Sequence, residues 1–334
     1  MSYGRRTGSR IRTAQALVAA VTFVLGAGVH AQLAKPKYPS KVIRLVVPVT
    51  PGGSTDVVAR IAANKMSELL GYNVLLDHRP GMGAIIGTEL VARSAPDGYT
   101  LLLAFSPHIT TPFMYKKVPY DTLRDFAPVS MLATQPIMIV INPAVQARSV
   151  KELIANAKAN PSKLNYGLAG SGSSGHLAGE LFKMRYGLNI VPIPYQGAGG
   201  AMTALASNEV QILFTSVLNL ISILPTGKAL ALGIASDKRS ELFPNVPTFA
   251  ELGLETFDVQ PWQGIVVPAK TPRAVIDVLN DAIGRALKSP DVVERLRATG
   301  SVPMHTTPEY LGRRIEEQMR EWSRILKAAN VRPE

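Results

Sequence analysis

The segment Gly170-Ser171-Gly172-Ser173-Ser174-Gly175-His176 gathers three hydroxyls and an imidazole behind the apolar run Leu164 to Gly167 and ahead of a helical pattern. Three chemistries suit such a loop. Its spacing satisfies G-x-G-x-x-G, the dinucleotide pattern, but the acid that would hold the ribose about 20 residues further on is absent, and Pro194 and Tyr195 stand there instead. A serine nucleophile on a sharp elbow needs G-x-S-x-G; Ser174 has Gly172 before it, yet His176 occupies the place of the second glycine. An exported serine hydrolase using this loop and His176 stays open as the alternative function. With no carboxylate nearby in sequence to orient it, His176 reads as a polar group lining a pocket. The third chemistry is capture of a compact anion by backbone N–H groups and hydroxyls. A loop whose glycines serve only packing is the bland reading beside it.

A second stretch has the same build. Ile43, Leu45, Val46 and Val47 form an apolar run that Pro48 and Pro51 end, and Gly52, Gly53, Ser54, Thr55 and Asp56 lead into helical spacing. A strand end feeding a helix start leaves unpaired N–H groups and about half a positive elementary charge facing outward, which is a seat for an anion. Asp56 reads as a carboxylate that complements this dipole rather than as a general base. Tyr195-Gln196-Gly197-Ala198-Gly199-Gly200 is a third such turn, where Gln196 can hydrogen-bond a ligand; a plain connecting loop is the alternative. His78, His108 and His305 are isolated, with no His or carboxylate at metal-ligand spacing, so no metal and no cofactor is expected.

The elements that must position these loops alternate. Strands are predicted at Ile43 to Val47, Asn73 to Asp77, Tyr99 to Phe105, Ile137 to Ile141, Leu164 to Gly167, Ile190 to Pro194, Val210 to Phe214, Ala229 to Ala235 and Gly264 to Val267, with helices between most of them. Ser106 to Pro128 reads as a long irregular connection. This order predicts two open, doubly wound α/β domains with mostly parallel sheets. The last part has one strand and three helices, too little for a third domain, so it is expected to return to the first sheet. The expected division is residues 1–31 as a signal peptide, 32–135 as the first part of domain 1, 136–256 as domain 2 and 257–334 as the return segment. Two crossings form a cleft at the strand C-termini of both sheets, where open α/β sheets bind ligands.

Arg5, Arg6, Arg10 and Arg12, the apolar stretch Ala14 to Val29 and the small residue Ala31 describe a secretory leader, so the mature chain is expected to be exported. The formal charge of +12 includes those four arginines and falls to +8 without them. The basic residues are scattered and not interleaved with aromatics, which excludes a nucleic-acid groove and leaves anionic small ligands or an acidic surface. No cysteine occurs, so no disulfide framework supports the fold.

The ordered series VVPVTPGGSTDVVAR, Arg79-Pro80-Gly81, Pro96-Asp97-Gly98-Tyr99, Leu164-Asn165-Tyr166-Gly167, GSGSSGHLAGE, Val246-Pro247-Thr248 and Trp262-Gln263-Gly264 resembles the Bug-type receptors. These are extracytoplasmic solute-binding proteins of tripartite tricarboxylate transport systems. The resemblance implies a periplasmic, two-domain, hinged binding protein of Venus-flytrap layout, not an enzyme, which holds a carboxylate of its ligand between the two glycine loops and works with membrane transporter subunits; a monomer is expected. Carried over, the first loop supplies Gly52, Gly53, Ser54, Thr55 and Asp56, and the second Gly170, Ser171, Gly172, Ser173, Ser174 and His176. Ser106, Gln196, Gly197, Thr215 and Trp262 would line the variable end. Many relatives carry Asp where this chain has Thr215, and its absence argues against an amino-acid ligand.

Overall fold

The computed structural model describes Met1 and residues 38–236, 238–255 and 261–328. The expected leader and the boundary between 256 and 257 lie outside the described residues. The chain falls into two compact units, Met1–Ser40 and Lys41–Glu334, and all the elements below belong to the second.

In chain order these are β1 (Ile43–Val47), α1 (Ser54–Leu70), β2 (Val74–His78), α2 (Ile85–Ala92), β3 (Thr100–Ala104), α3 (Ser106–Met114), β4 (Phe126–Thr134) and β5 (Ile137–Ile141). There follow α4 (Val150–Ala159), β6 (Asn165–Leu168), α5 (Ser174–Tyr186), β7 (Val191–Pro194), α6 (Gly197–Ala206), β8 (Ile212–Ser216), α7 (Val217–Leu220) and β9 (Leu230–Ala235). The chain ends with β10 (Trp262–Pro268), α8 (Arg273–Lys288), α9 (Pro290–Arg297), β11 (Val302–Pro303) and α10 (Pro308–Ala328).

Two sheets result. A six-stranded sheet has the order β11-β4-β10-β3-β1-β2, and a five-stranded sheet the order β7-β6-β8-β5-β9. Neither is the mostly parallel sheet that alternation with helices predicts. β1 pairs in parallel with β2 and β3, and β6 with β7 and β8, but β11 runs antiparallel to β4. Because the chain enters each sheet afresh from the other, β10 runs antiparallel between β3 and β4, and β5 antiparallel between β8 and β9. These two strands are the ones entered from the crossing segments. The chain leaves the first sheet between Thr134 and Ile137 and is back in it at Trp262. The crossings are tied to each other: the Gln135 N–H donates to the Pro261 carbonyl at 2.9 Å, and Gln135 Nε2 donates to Ser301 Oγ at 2.9 Å. The fold is thus α/β with two sheet-containing domains.

One buried apolar cluster joins them, from Val46 and Leu102 in the first sheet through Met114, Leu311 and Trp322 to Phe182, Ile139 and Phe214 in the second. Each such side chain contributes about 1.5–3 kcal/mol by leaving water.

The stretch from Ser106 to Pro128, expected to be irregular, contains α3 and the start of β4. Pro112 inside α3 has no N–H for the His108 carbonyl, and the Thr122 hydroxyl donates to that carbonyl instead, at 2.9 Å. In β4, Pro128 sits opposite Val266 where the register shifts between Ile265 and Val266, an irregularity that accommodates a residue with no ladder N–H.

Candidate functional site

Sheet topology sets the site. Because β1 and β3 are adjacent and parallel, the loop after Val47 and the start of α3 emerge at one edge of the first sheet. Because β7, β6 and β8 are parallel neighbours, the loop after Leu168, the turn at Gln196 and the end of β8 emerge at one edge of the second. The two sides meet at α3. The Thr110 hydroxyl lies 2.9 Å from the Gly172 carbonyl and 3.1 Å from that of Ser106. Gly172 is required twice over: its φ is +74°, and a Cβ there would stand 2.8 Å from Thr110 Oγ1.

In the first loop Gly52, at φ +95°, donates its N–H to Asp56 Oδ2 at 2.9 Å. Asp56 is only 2% exposed, and Oδ1 is also held by His78 Nε2 at 2.7 Å, while Arg60 Nη2 lies 3.3 Å from both oxygens. Burial alone would raise this carboxyl; the Gly52 N–H, His78 and Arg60 outweigh it and hold the group below the usual carboxylate range. Asp56, carried over as a ligand group, therefore faces back into its own loop. His78, isolated in sequence, is its neighbour. Gly53 at the N-cap has no side chain to cap α1, so the first N–H groups of that helix are left uncapped.

The second loop is built on the same plan with neutral groups. His176 Nδ1 accepts the Gly172 N–H at 3.0 Å, and Ser173 Oγ, at the N-cap of α5, accepts the His176 N–H at 3.3 Å. This is a variant of the capping box, with imidazole in the place of a carboxylate and its bond made to the N–H one residue before the N-cap. It also bears on the tautomer of His176. With Nδ1 committed to a backbone N–H, the neutral ring carries its proton on Nε2 and has no lone pair with which to activate serine.

The other expected positions are spread around these loops. Ser106 is buried at the first turn of α3. Gln196 is exposed at the N-cap of α6, makes no side-chain cap and is followed by Gly197, whose N–H donates to the Tyr195 carbonyl at 3.0 Å. Thr215 is half-buried, and its Oγ1 accepts from Asn219 Nδ2 at 2.9 Å. Trp262 does not present its ring to the cleft: it is 1% exposed, and its Nε1 donates to Gln318 Oε1 at 2.6 Å, so the indole is a core group between β10 and α10. Sequence reasoning missed Thr110, hidden in a stretch read as irregular, and Ser216, next to Thr215. Among the described residues, Ser216 is one of the buried hydroxyls without a hydrogen-bond partner. No group of three or more His, Asp or Glu among the described residues could hold a metal ion.

Two mixed sheets flanked by helices and linked by paired crossings, with glycine loops leading into helix N-termini at their strand ends, have the layout of a two-domain solute-binding protein. The tripartite tricarboxylate transporter family receptor model matches residues 58–331, and the chain belongs to this family of periplasmic solute-binding receptors. It is 37% identical over 312 residues to Protein BugT of Bordetella pertussis, covering 93% of this chain and 96% of that one. Two solved structures are similar throughout. R. palustris Rpa4515 with adipate has 30% identity and a TM-score of 0.83, covering 89% of this chain and 100% of the other. MatC from Rhodopseudomonas palustris with bound malate has 29% identity and a TM-score of 0.79, covering 86% and 100%.

Proposed function

We propose that this protein is a periplasmic receptor that captures a small carboxylate, most simply a dicarboxylate, between the loops Gly52–Asp56 and Gly170–His176 and delivers it to membrane transporter subunits. The observation that carries the reading is the pair of glycine loops, each ending in a helix N-terminus and neither containing Lys or Arg. The anion is held by N–H groups and by the hydroxyls of Ser54, Thr55, Ser171, Ser173 and Ser174, at about 1.5–3 kcal/mol for each bond to a charged group. Ser106, Gln196, Gly197 and Thr215 meet the remainder of the ligand. In this reading β1 to β4 with β10 to α10 form one lobe and β5 to β9 the other, and the two close about the crossings at Gln135 and Pro261. The adipate and malate in the two similar structures support the ligand class. The site captures and does not convert, because His176 offers no base.

A thermal-shift screen of mono-, di- and tricarboxylates tests this. A ligand at a hundredfold excess over its Kd stabilises the fold by about 2.7 kcal/mol. No shift with any carboxylate, or a shift indifferent to both Ser171→Ala and Thr55→Ala, overturns the reading. Ester turnover lost in His176→Ala would favour the hydrolase instead.

A further inference from the structure

The His78 imidazole belongs to no expected site and yet makes a short bond to the buried acid of the first loop, 2.7 Å from Nε2 to Asp56 Oδ1. Its place follows from the sheet. β2 pairs with β1 in parallel register, Val47 opposite His78, and the Arg79 N–H donates to the Val47 carbonyl at 3.0 Å, so His78 stands beside the last residue of β1. Alternation along β2 separates the neighbouring charges: Asp77 is taken by Arg44 and Arg79, while His78 turns to Asp56.

Resting on the carboxylate reading above, we propose that His78 is a positioning residue for ligand capture, acting through Asp56 on the first loop. The chain of contacts is His78 Nε2 to Asp56 Oδ1, Asp56 Oδ2 to the Gly52 N–H, and Gly52 to the N-terminus of α1 through Gly53. Gly53 contributes no side-chain cap, so Asp56 is the side chain that reaches back over this helix start. The other side chain on its oxygens, Arg60, is longer-ranged at 3.3 Å and half-exposed, and it sits on the same helix as Asp56. His78 is the partner that comes from a different element and is itself mostly shielded, at 20% side-chain exposure. Without its bond the carboxylate can turn toward Arg60 and release the Gly52 N–H. The loop then keeps its fold but loses the fixed direction of the N–H groups that meet the anion.

The test pairs His78→Met with His78→Gln in the full chain. The two side chains have nearly the same size, and only glutamine can donate to Asp56 Oδ1. Two readouts are taken: amide exchange at Gly52 without ligand, and the Kd for adipate and for malate by calorimetry. In His78→Met, Gly52 exchange should quicken and the affinity fall, each by about tenfold, while Gly172 exchange stays unchanged; His78→Gln should remain within about threefold of wild type in both. Weakened binding with unchanged Gly52 exchange overturns the proposal, as does faster exchange with unchanged affinity or a His78→Gln variant no better than His78→Met. Where wild type binds neither acid, the Kd is taken for the acid that shifts unfolding most in the carboxylate screen; wild-type protein that binds none of the mono-, di- or tricarboxylates overturns the carboxylate reading itself, whatever the exchange at Gly52, and this role falls with it.

Discussion

Ahead of α1, Asp56 reaches back four residues to the Gly52 N–H at 2.9 Å; ahead of α5, His176 reaches back four residues to the Gly172 N–H at 3.0 Å. A third helix start, away from both loops, has the same geometry: at α4, Glu152 accepts the Arg148 N–H at 2.8 Å and Ser149 caps the Glu152 N–H. The purely structural start uses serine and a carboxylate together. Each glycine loop departs from it once. The first keeps the acid and drops the cap, having Gly53 where α4 has Ser149; the second keeps the serine and exchanges the acid for an imidazole. The comparison teaches that both loops are held rigid while neither brings an exposed negative charge to the anion: Asp56 is buried and paired, and His176 is not an acid.

The largest effect is expected where the first loop's carboxylate is removed. Asp56→Asn takes the charge from the bonds to Gly52, His78 and Arg60 and should lower unfolding stability in urea by about 2–3 kcal/mol, with loss of carboxylate binding. An equal loss from Ser173→Ala would erase the distinction between the loops.

Acid should act at α3, on the side of the first sheet. His108, on the helix that touches Gly172, is 2% exposed without a hydrogen-bond partner, and burial pushes its pKa down to about 4. The folded value lies below the unfolded one of about 6.5, so the unfolded chain binds the extra proton first, and stability falls as pH is lowered from 6.5 toward 4. At pH 5 the loss should be about 2 kcal/mol relative to neutral pH, read from denaturation curves, and His108→Phe should abolish most of it.

His176→Glu converts the second start to the sequence of the structural one. Stability should stay within about 1 kcal/mol of wild type, whereas carboxylate affinity should fall at least about tenfold through like-charge repulsion, a split that calorimetry and thermal unfolding separate. The smallest effect belongs to Gly53→Ser, which completes the box of the first loop. It should add a few tenths of a kcal/mol to stability, about the difference between serine and glycine caps, while weakening binding because the new hydroxyl takes an N–H from the ligand.

Both glycine loops and most strands were legible because their signals are local. Val46 and Val47 before Pro48, or Ile137 to Ile141, need nothing from the rest of the chain to read as strands. The helix over Ser106–Met114 was not legible, since Pro112 and the adjacent threonines argue against it and only the hydroxyl of Thr122, from another segment, satisfies the carbonyl that Pro112 strands. The role of Asp56 was half legible: its place at the helix start was plain, but its partner His78 is 22 residues away and is brought in by the register of β1 with β2. The box at Ser173 escaped because histidine at the third position is not the acid that the motif leads one to seek. Trp262 was misplaced because a family position gives a residue number, while Gln318, 56 residues on, decides where the indole turns.

The link between Thr110 and Gly172 uses a backbone carbonyl on the side of the second loop. A carbonyl is present whatever side chain a residue bears, so this fastening survives any rewriting of Ser171, Ser173 or Ser174. Side chains at those positions can thus change by point substitution while α3 and the second loop stay joined, and the loop can be re-lettered without being re-anchored.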